Sequence, residues 1–195
     1  MHLMKRNFVE SDQGILVSRS PEIILPKTDR AELLGIHTIN VIRDGKELGW
    51  VRNYNKVVNV GLNYLLNSAA PIAETAIARA TDWFIWPFKT AYTPQATDTM
   101  ADLASYGELT EYDEAARVEW VVNGASTAQL LSNSTAPATF TINATVTCNG
   151  AGIGTVSTKS SATGTMLCAA NYSPARALVS GDVVLIQYDL AMTSA

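Results

Sequence analysis

Four carboxylates crowd into one short segment, Glu108, Glu111, Asp113 and Glu114. A glycosidase needs two such groups about 5–10 Å apart, flanking a sugar bond, and this segment holds enough of them to supply a pair. Arg117 follows closely, so the same residues also read, more simply, as an acidic loop in solvent paired with a guanidinium. Asp98 and Asp102 could join them around a calcium ion, but the regular alternation of oxygen ligands in an EF-hand loop is missing. Nucleophilic catalysis of the Ser/His/Asp kind needs a well-placed imidazole. The chain has two histidines, His2 at the terminus and His37 at the start of a predicted strand, and neither is placed for that role. There is no HExxH, no CxxC and no Cys/His cluster with metal-ligand spacing. The expectation is no catalytic, cofactor-binding or metal-ligating residue, no cofactor, and no enzyme.

Three further stretches invite a chemical reading and each has a plainer one. Asn149–Gly154 (N-G-A-G-I-G) looks like a phosphate-binding loop, but it lacks the following helix and the Lys-Ser/Thr pair, so it is predicted to be a hairpin turn. Asp82–Lys89 (D-W-F-I-W-P-F-K) would make a stacking platform for sugars or bases. Its shortage of neighbouring charged or amide groups favours a buried strand instead, with Pro87 at an edge or strand end. Cys148 and Cys168 fall in strand-like segments at inward positions. They read as two buried thiols acting as small apolar groups, with a disulfide between neighbouring strands left open by geometry.

The elements that must position these residues are mainly strands. Ala138–Thr147 alternates strictly: Ala138, Phe140, Ile142, Ala144 and Val146 are apolar, and the residues between them are Thr or Asn. Successive side chains on a strand point to opposite faces, so this stretch makes one face for a core and one for water. Ala151–Thr158, Thr165–Tyr172 and Asp182–Met192 offer partners, separated by Gly, Ser, Asn and Pro. Short strands at near-regular spacing predict a mainly β chain, an antiparallel β-sandwich, jelly-roll-like in character. Asp44-Gly45 predicts a two-residue hairpin turn within 37–54, placing Val41 opposite Leu48 and Ile39 opposite Trp50 on one face. The single α-helix is predicted over 55–70, with Val58, Leu62, Leu65, Leu66 and Ala69 at helical spacing and Pro71 after it. Gly61 within it suits close packing. The body of the sandwich, 55–195, includes this helix.

Residues 1–36 read as an extended N-terminal arm, with turn-formers around the apolar runs Ile15, Leu16, Val17 and Ile23, Ile24, Leu25. A tail left in water rarely carries so many large aliphatics, so these six residues are the candidate protein contacts.

Composition sets the outer limits. The 195 residues are 47% apolar and only 16% charged, with a net charge of −4. A neutral, Thr/Ser/Asn-rich surface suits dense packing against neighbours, and a negative balance supplies no field to attract nucleic acid. No run reaches the roughly 20 apolar residues that span a bilayer. Met1–Glu10 lacks the apolar core of a signal peptide, so folding in a cytoplasm is expected.

The order of several motifs resembles a group of small structural proteins encoded among the virion genes of tailed bacteriophages. The motifs are V-V-N-V-G-L-N-Y-L-L (Val57–Leu66), the aromatic run Trp83–Phe88, T-P-Q-A-T-D-T-M-A (Thr93–Ala101), and E-L-T-E-Y-D-E-A-A-R (Glu108–Arg117). S-N-S-T-A-P-A-T-F-T-I-N-A-T-V-T (Ser132–Thr147) and V-S-G-D-V-V-L-I-Q-Y-D-L (Val179–Leu190) follow. Together they run from about Asn55 to the C-terminus, whereas Met1–Asn53 departs from the shorter pattern of that group. The resemblance implies a capsid decoration, or cement, protein on the virion surface, made in the bacterial host cytoplasm. The implied partners are the major capsid protein and further copies of the chain as a dimer or trimer, with no direct contact to nucleic acid or membrane. The alternative within the same resemblance is a tail or fibre component, including a receptor-binding sandwich that grips a glycan through Trp83 or Trp86.

Overall fold

Strand residues outnumber helical ones throughout, and the β-branched and aromatic runs of the sequence account for it. In a computed structural model the described residues are 8–10, 16–18, 31–69, 80–124, 126 and 128–194. The chain divides into two units, Met1–Glu32 with Thr193–Ala195, and Leu33–Met192. In the first, β1 (Phe8–Glu10) and β2 (Leu16–Ser18) form a two-stranded antiparallel ribbon with Val9 opposite Val17. Of the six arm residues, Leu16 and Val17 belong to β2, while Ile15, Ile23, Ile24 and Leu25 lie outside the described residues.

The second unit holds two antiparallel sheets. Its elements in order are β3 (Ala31–Arg43), β4 (Lys46–Glu47), β5 (Val51–Tyr54), β6 (Lys56–Val57), α1 (Asn59–Ala69) and β7 (Phe84–Phe88). A 3₁₀ turn (Met100–Asp102) and the short helix α2 (Leu103–Tyr106) follow, then β8 (Val118–Glu119), β9 (Leu130–Ser132), β10 (Ala138–Thr141), β11 (Val146–Gly154), β12 (Met166–Leu178) and β13 (Val183–Ser194). One sheet runs β10-β13-β3-β4, with β5 also on β3 and β9 also on β13; the other runs β6-β12-β11-β7-β8. Ile39 and Val41 of β3, Phe140 of β10 and Val184, Ile186 and Tyr188 of β13 meet Ile85, Ile153, Cys168 and Leu178 in one apolar core. The fold is an antiparallel β-sandwich with few helices.

The five-stranded sheet is buried on both faces. Its far side carries a second cluster in which Trp86, Phe88 and Met166 pack with Met100, Leu103 and Tyr106 of the 3₁₀ turn and α2, and with Val58 before α1. A strand covered on both faces has no polar side to show. That is why F-I-W-P-F and M-L-C-A-A read as continuous apolar runs rather than alternating ones.

Several expectations change on contact with tertiary structure. Ala138–Thr147 is two strands, not one. Its inward positions Ala138, Phe140 and Ile142 are buried as the alternation requires, but the chain turns at 143–145 and passes from the six-stranded sheet into the five-stranded one. A strand that switches sheets keeps its period across the corner, so the pattern alone did not reveal the break. Asn149–Gly154 is not a turn. It forms the C-terminal part of β11, with Gly150 opposite Phe88 and Gly152 opposite Trp86.

Pro87 sits on a central strand rather than an edge, and its position explains the tolerance. Its carbonyl accepts from Leu109 N at 2.8 Å, on the side away from β11. β8 covers only Phe84 and Ile85 of β7. The missing proline N–H therefore lies on the Leu109 side of the strand and takes no donor from the β11 ladder.

α1 begins at Asn59, later than predicted, because Lys56 and Val57 first pair with Ala169 and Cys168 of β12. Gly61 is buried against β12: a Cβ there would meet Leu167 O at 2.5 Å. α2 is an additional helix of four residues beside the single helix predicted.

The Asp44-Gly45 turn forms as expected, with φ of 51° and 73° and Arg43 opposite Lys46. Beyond it the register slips by one residue. Leu48 N still donates to Val41 O, but Ile39 faces Val51 instead of Trp50. Gly49, at φ 93°, absorbs the extra residue. A one-residue slip reverses the faces beyond it, so Trp50 is 46% exposed while Ile39 and Val41 stay in the core; Leu48, before the slip, is 47% exposed at the bulge itself.

Candidate functional site

The acidic segment is the natural place to look for chemistry, and its carboxylates are occupied by structure. Glu108 is buried on the segment that bridges to Phe88 of β7. Arg117 Nε donates to Glu108 Oε1 at 2.8 Å and Nη2 donates to Oε2 at 2.7 Å, a two-point pair with both side chains out of solvent. Arg117 also donates to the carbonyls of Val156 and Ser161, and Ser160 N donates to Glu108 Oε2. The pair therefore fastens the 155–165 connection between β11 and β12. The expected Glu108–Arg117 association is present, but in the interior rather than in water.

Its neighbours are committed in the same way. Both Glu114 oxygens accept from Thr141 N at 3.1 Å, and Asp113 accepts from Asn143. Burial works against the Glu111 carboxylate, but Lys89 and backbone donors outweigh it and hold its pKa below the usual range. Lys159 Nζ stands 3.6 Å from the centre of the Tyr112 ring and donates to Tyr112 O. Both Glu108 oxygens are engaged by the guanidinium inside the protein, away from any group that a substrate in solvent would present.

Asp98 and Asp102 also stay apart from any ion cluster. Asp98 is buried and accepts from Tyr106 OH at 2.6 Å, Tyr92 OH at 3.0 Å and Gln95 N at 2.8 Å. Burial, then Asp98, pushes the Tyr106 phenol strongly up, so it stays a donor. Asp102 closes a capping box with Thr99 over the 3₁₀ turn. Among the described residues no group of three or more His, Cys, Asp or Glu side chains is arranged to hold a metal ion.

The aromatic run is core. Trp86 and Phe88 are fully buried and meet Tyr106 edge-on at 5.2 and 5.0 Å between ring centres. Trp83 is half-buried, edge-on to Tyr64 of α1. The two thiols are free and buried, and burial raises both to about 12. Cys168 Sγ lies 3.5 Å from His37 Nε2, and burial lowers the imidazole to about 3. Both partners are neutral near pH 7, so this is not a thiolate–imidazolium pair.

Some large apolar side chains also reach the surface. A groove of about 330 Å³ opens beside Leu65, Trp83, Trp120, Val121, Leu131 and Leu190, with Asp82 and Glu119 also lining it. Elsewhere, Trp50 just before β5, and Arg52 and Tyr54 on it, are exposed. The predicted register put Trp50 on the face of Ile39 and Val41; the glycine at 49, beside a two-residue turn, was the available signal for a bulge.

No protein-family model, curated protein or solved structure matches this chain. Among the described residues no helix is long and apolar enough to cross a membrane.

Proposed function

We propose that the chain is a non-enzymatic structural protein of a tailed-phage virion, a decoration protein that binds the outer capsid surface and bridges neighbouring capsid subunits. The observation that carries this reading is the division of labour among its side chains. The charged groups of the acidic segment are used to fasten loops, whereas large apolar groups are left outside, among them Trp50, Tyr54, Leu66 and Val121. Such a surface works by burial against other proteins rather than by proton or group transfer. The motif order described above supports a virion setting, and the low charge of the chain suits close packing on a shell.

In this proposal the arm, through Ile15, Leu16, Val17, Ile23, Ile24 and Leu25, clamps the major capsid protein, and the sandwich is the rigid body it tethers. Binding energy spread over several subunits then raises the barrier to shell opening. Deleting Met1–Arg30 is expected to abolish binding to purified capsids while the sandwich keeps its cooperative melt. Normal decoration by the truncated chain would overturn the arm assignment. Copy number tests the setting: hundreds per particle by gel densitometry fit the shell, and a few to a few dozen would place the protein in the tail instead.

A further inference from the structure

Four polar side chains from four elements meet in the core where the chain crosses from one sheet to the other at Asn55. β5 ends at Tyr54 in the six-stranded sheet and β6 begins at Lys56 in the five-stranded one, so Asn55 alone makes the crossing. Its Nδ2 donates to Tyr188 OH of β13 at 3.2 Å, and its amide packs on Gly35 of β3, where a Cβ would come within 2.2 Å of Oδ1. His37 of β3 approaches the same group: its ring lies 4.6 Å from the Tyr188 ring, and its Nε2 3.5 Å from Cys168 Sγ of β12. β6 holds the crossing down. It is two residues long, lies at the edge of its sheet, and pairs Lys56 with Ala169 and Val57 with Cys168.

The cluster has no place for a charge. His37 is fully buried, and among the described residues neither its Nδ1 nor Asn55 Oδ1 has a hydrogen-bond partner. A protonated imidazole carries two N–H donors; Cys168 could take one, and nothing takes the other. The titratable groups facing the ring are the Cys168 thiol on β12 and the Tyr188 phenol on β13, with the Tyr172 phenol near Cys168. Burial raises all three, so none offers a negative charge. Asn53, across the ladder from His37, is neutral, and Arg52 and Lys56 are exposed. Asp189, next to Tyr188 on β13, belongs to the opposite face and is held by Ser132 and Gln187. Burial accordingly lowers His37 to about 3.

We propose that the Asn55 crossing is an acid-released seam: protonation of His37 frees Asn55 and β6 from β12 while the rest of the sandwich stays folded. The ring cannot carry its charge where it stands, and the shortest strand pairing beside it is the one that yields. Short edge pairings belong to the low-stability end of a fold and open without global unfolding. Cys148 lies away from the seam, on β11, which is paired by β12 on one side and β7 on the other, and it faces Arg176. The seam goes beyond the capsid reading and stands without it.

Thiol labelling of the full wild-type chain with a dithiodipyridine reagent from pH 7 to pH 5 tests it. Each rate is divided by that of the guanidinium-unfolded chain at the same pH, and peptide mass mapping reads the two cysteines separately. A histidine released from about 3 to its ordinary 6.5 raises the open population roughly twentyfold over that range. Cys168 is expected to accelerate by that factor and Cys148 to stay unchanged. His37→Phe, with a thermal melt as its folding control, is expected to remove the acceleration; the wild-type comparison of the two thiols needs no variant. Equal acceleration at both cysteines would mean that acid unfolds the whole sandwich, and it overturns the seam. So does a Cys168 rate that ignores pH, or an acceleration that persists in folded His37→Phe.

Discussion

Gly152 lies directly opposite Trp86 across the β11–β7 ladder, and the indole occupies the space a side chain at 152 would need. A Cβ on Gly152 would come within 2.2 Å of Trp86 Cζ2, and one on Gly150 would come equally close, 2.2 Å, to Phe88 Cζ. The glycine run and the aromatic run are thus two halves of one packing solution. Gly152→Ala is expected to destabilise by about 2–3 kcal/mol, the usual scale of overpacking, which at this chain length lowers Tm by roughly 5–10 °C. Calorimetry checks it. Adding Trp86→Leu to Gly152→Ala should recover part of the loss, since the smaller side chain vacates the clash. Equal or additive losses in the double variant would mean that the two residues do not share that space.

Arg117 and Glu108 should behave as a unit. Arg117→Met leaves a buried carboxylate without its cation and frees the Val156 and Ser161 carbonyls. Breaking a buried pair from one side costs about 3–5 kcal/mol, whereas replacing both partners with apolar residues costs much less. Urea unfolding of Arg117→Met, Glu108→Leu and the double variant is expected to show the double variant as more stable than Arg117→Met. Hydrogen exchange at Ser160 N, which bonds Glu108, should speed up in either single variant.

Local pattern was legible wherever one face of a strand met water. The inward set Ala138, Phe140, Ile142 and the alternation Val184, Ile186, Tyr188, Leu190 both appear as buried positions. The Asp44-Gly45 turn was legible because two adjacent residues at φ > 0 have a narrow sequence signature. Three things were hidden, each for a physical reason. The corner at 143–145 keeps the strand period, so alternation passes through it unbroken. The role of Gly150 and Gly152 depends on Phe88 and Trp86, some sixty residues away in sequence, and short-range reading sees glycines only as turns. The slip at Gly49 moves every later side chain to the other face, which is how Trp50 came to be placed on the face of Ile39 and Val41. As for the site, the Glu108–Arg117 association could be read from proximity, but its burial comes from the 155–165 connection folding over it.

Cys148 and Cys168 are expected to be unreactive in the folded protein. The nucleophile is the thiolate, and burial pushes both thiols up to about 12. Treatment with an aromatic disulfide reagent at pH 8 should label neither residue in native buffer and both in guanidinium. Labelling of either thiol before unfolding would show that the core beside its strand, β11 for Cys148 or β12 for Cys168, opens on its own.

His37 sets the direction of the pH response. Its ring is fully buried, 4.6 Å from the Tyr188 ring and 3.5 Å from Cys168 Sγ, and burial lowers its pKa from 6.5 to about 3. Between those values the unfolded chain binds a proton that the folded chain refuses, so the unfolded state gains as the medium acidifies. The sign follows: stability is complete above pH 6.5, falls steadily below it, and stops responding to this residue near pH 3. Over the whole window the effect is on the order of 5 kcal/mol. Glu111 and Asp182, held low by Lys89 and Arg43, act in a separate window. Their contributions are present above their unfolded values of 4.5 and 3.8 and are lost below them. Urea midpoints measured from pH 7 to pH 5 therefore isolate the histidine. His37→Phe, which keeps a ring against Tyr188 and has nothing to protonate, should flatten that part of the curve while leaving the steeper loss below pH 4.5 in place. A slope unchanged by the substitution would assign the acid sensitivity to other groups.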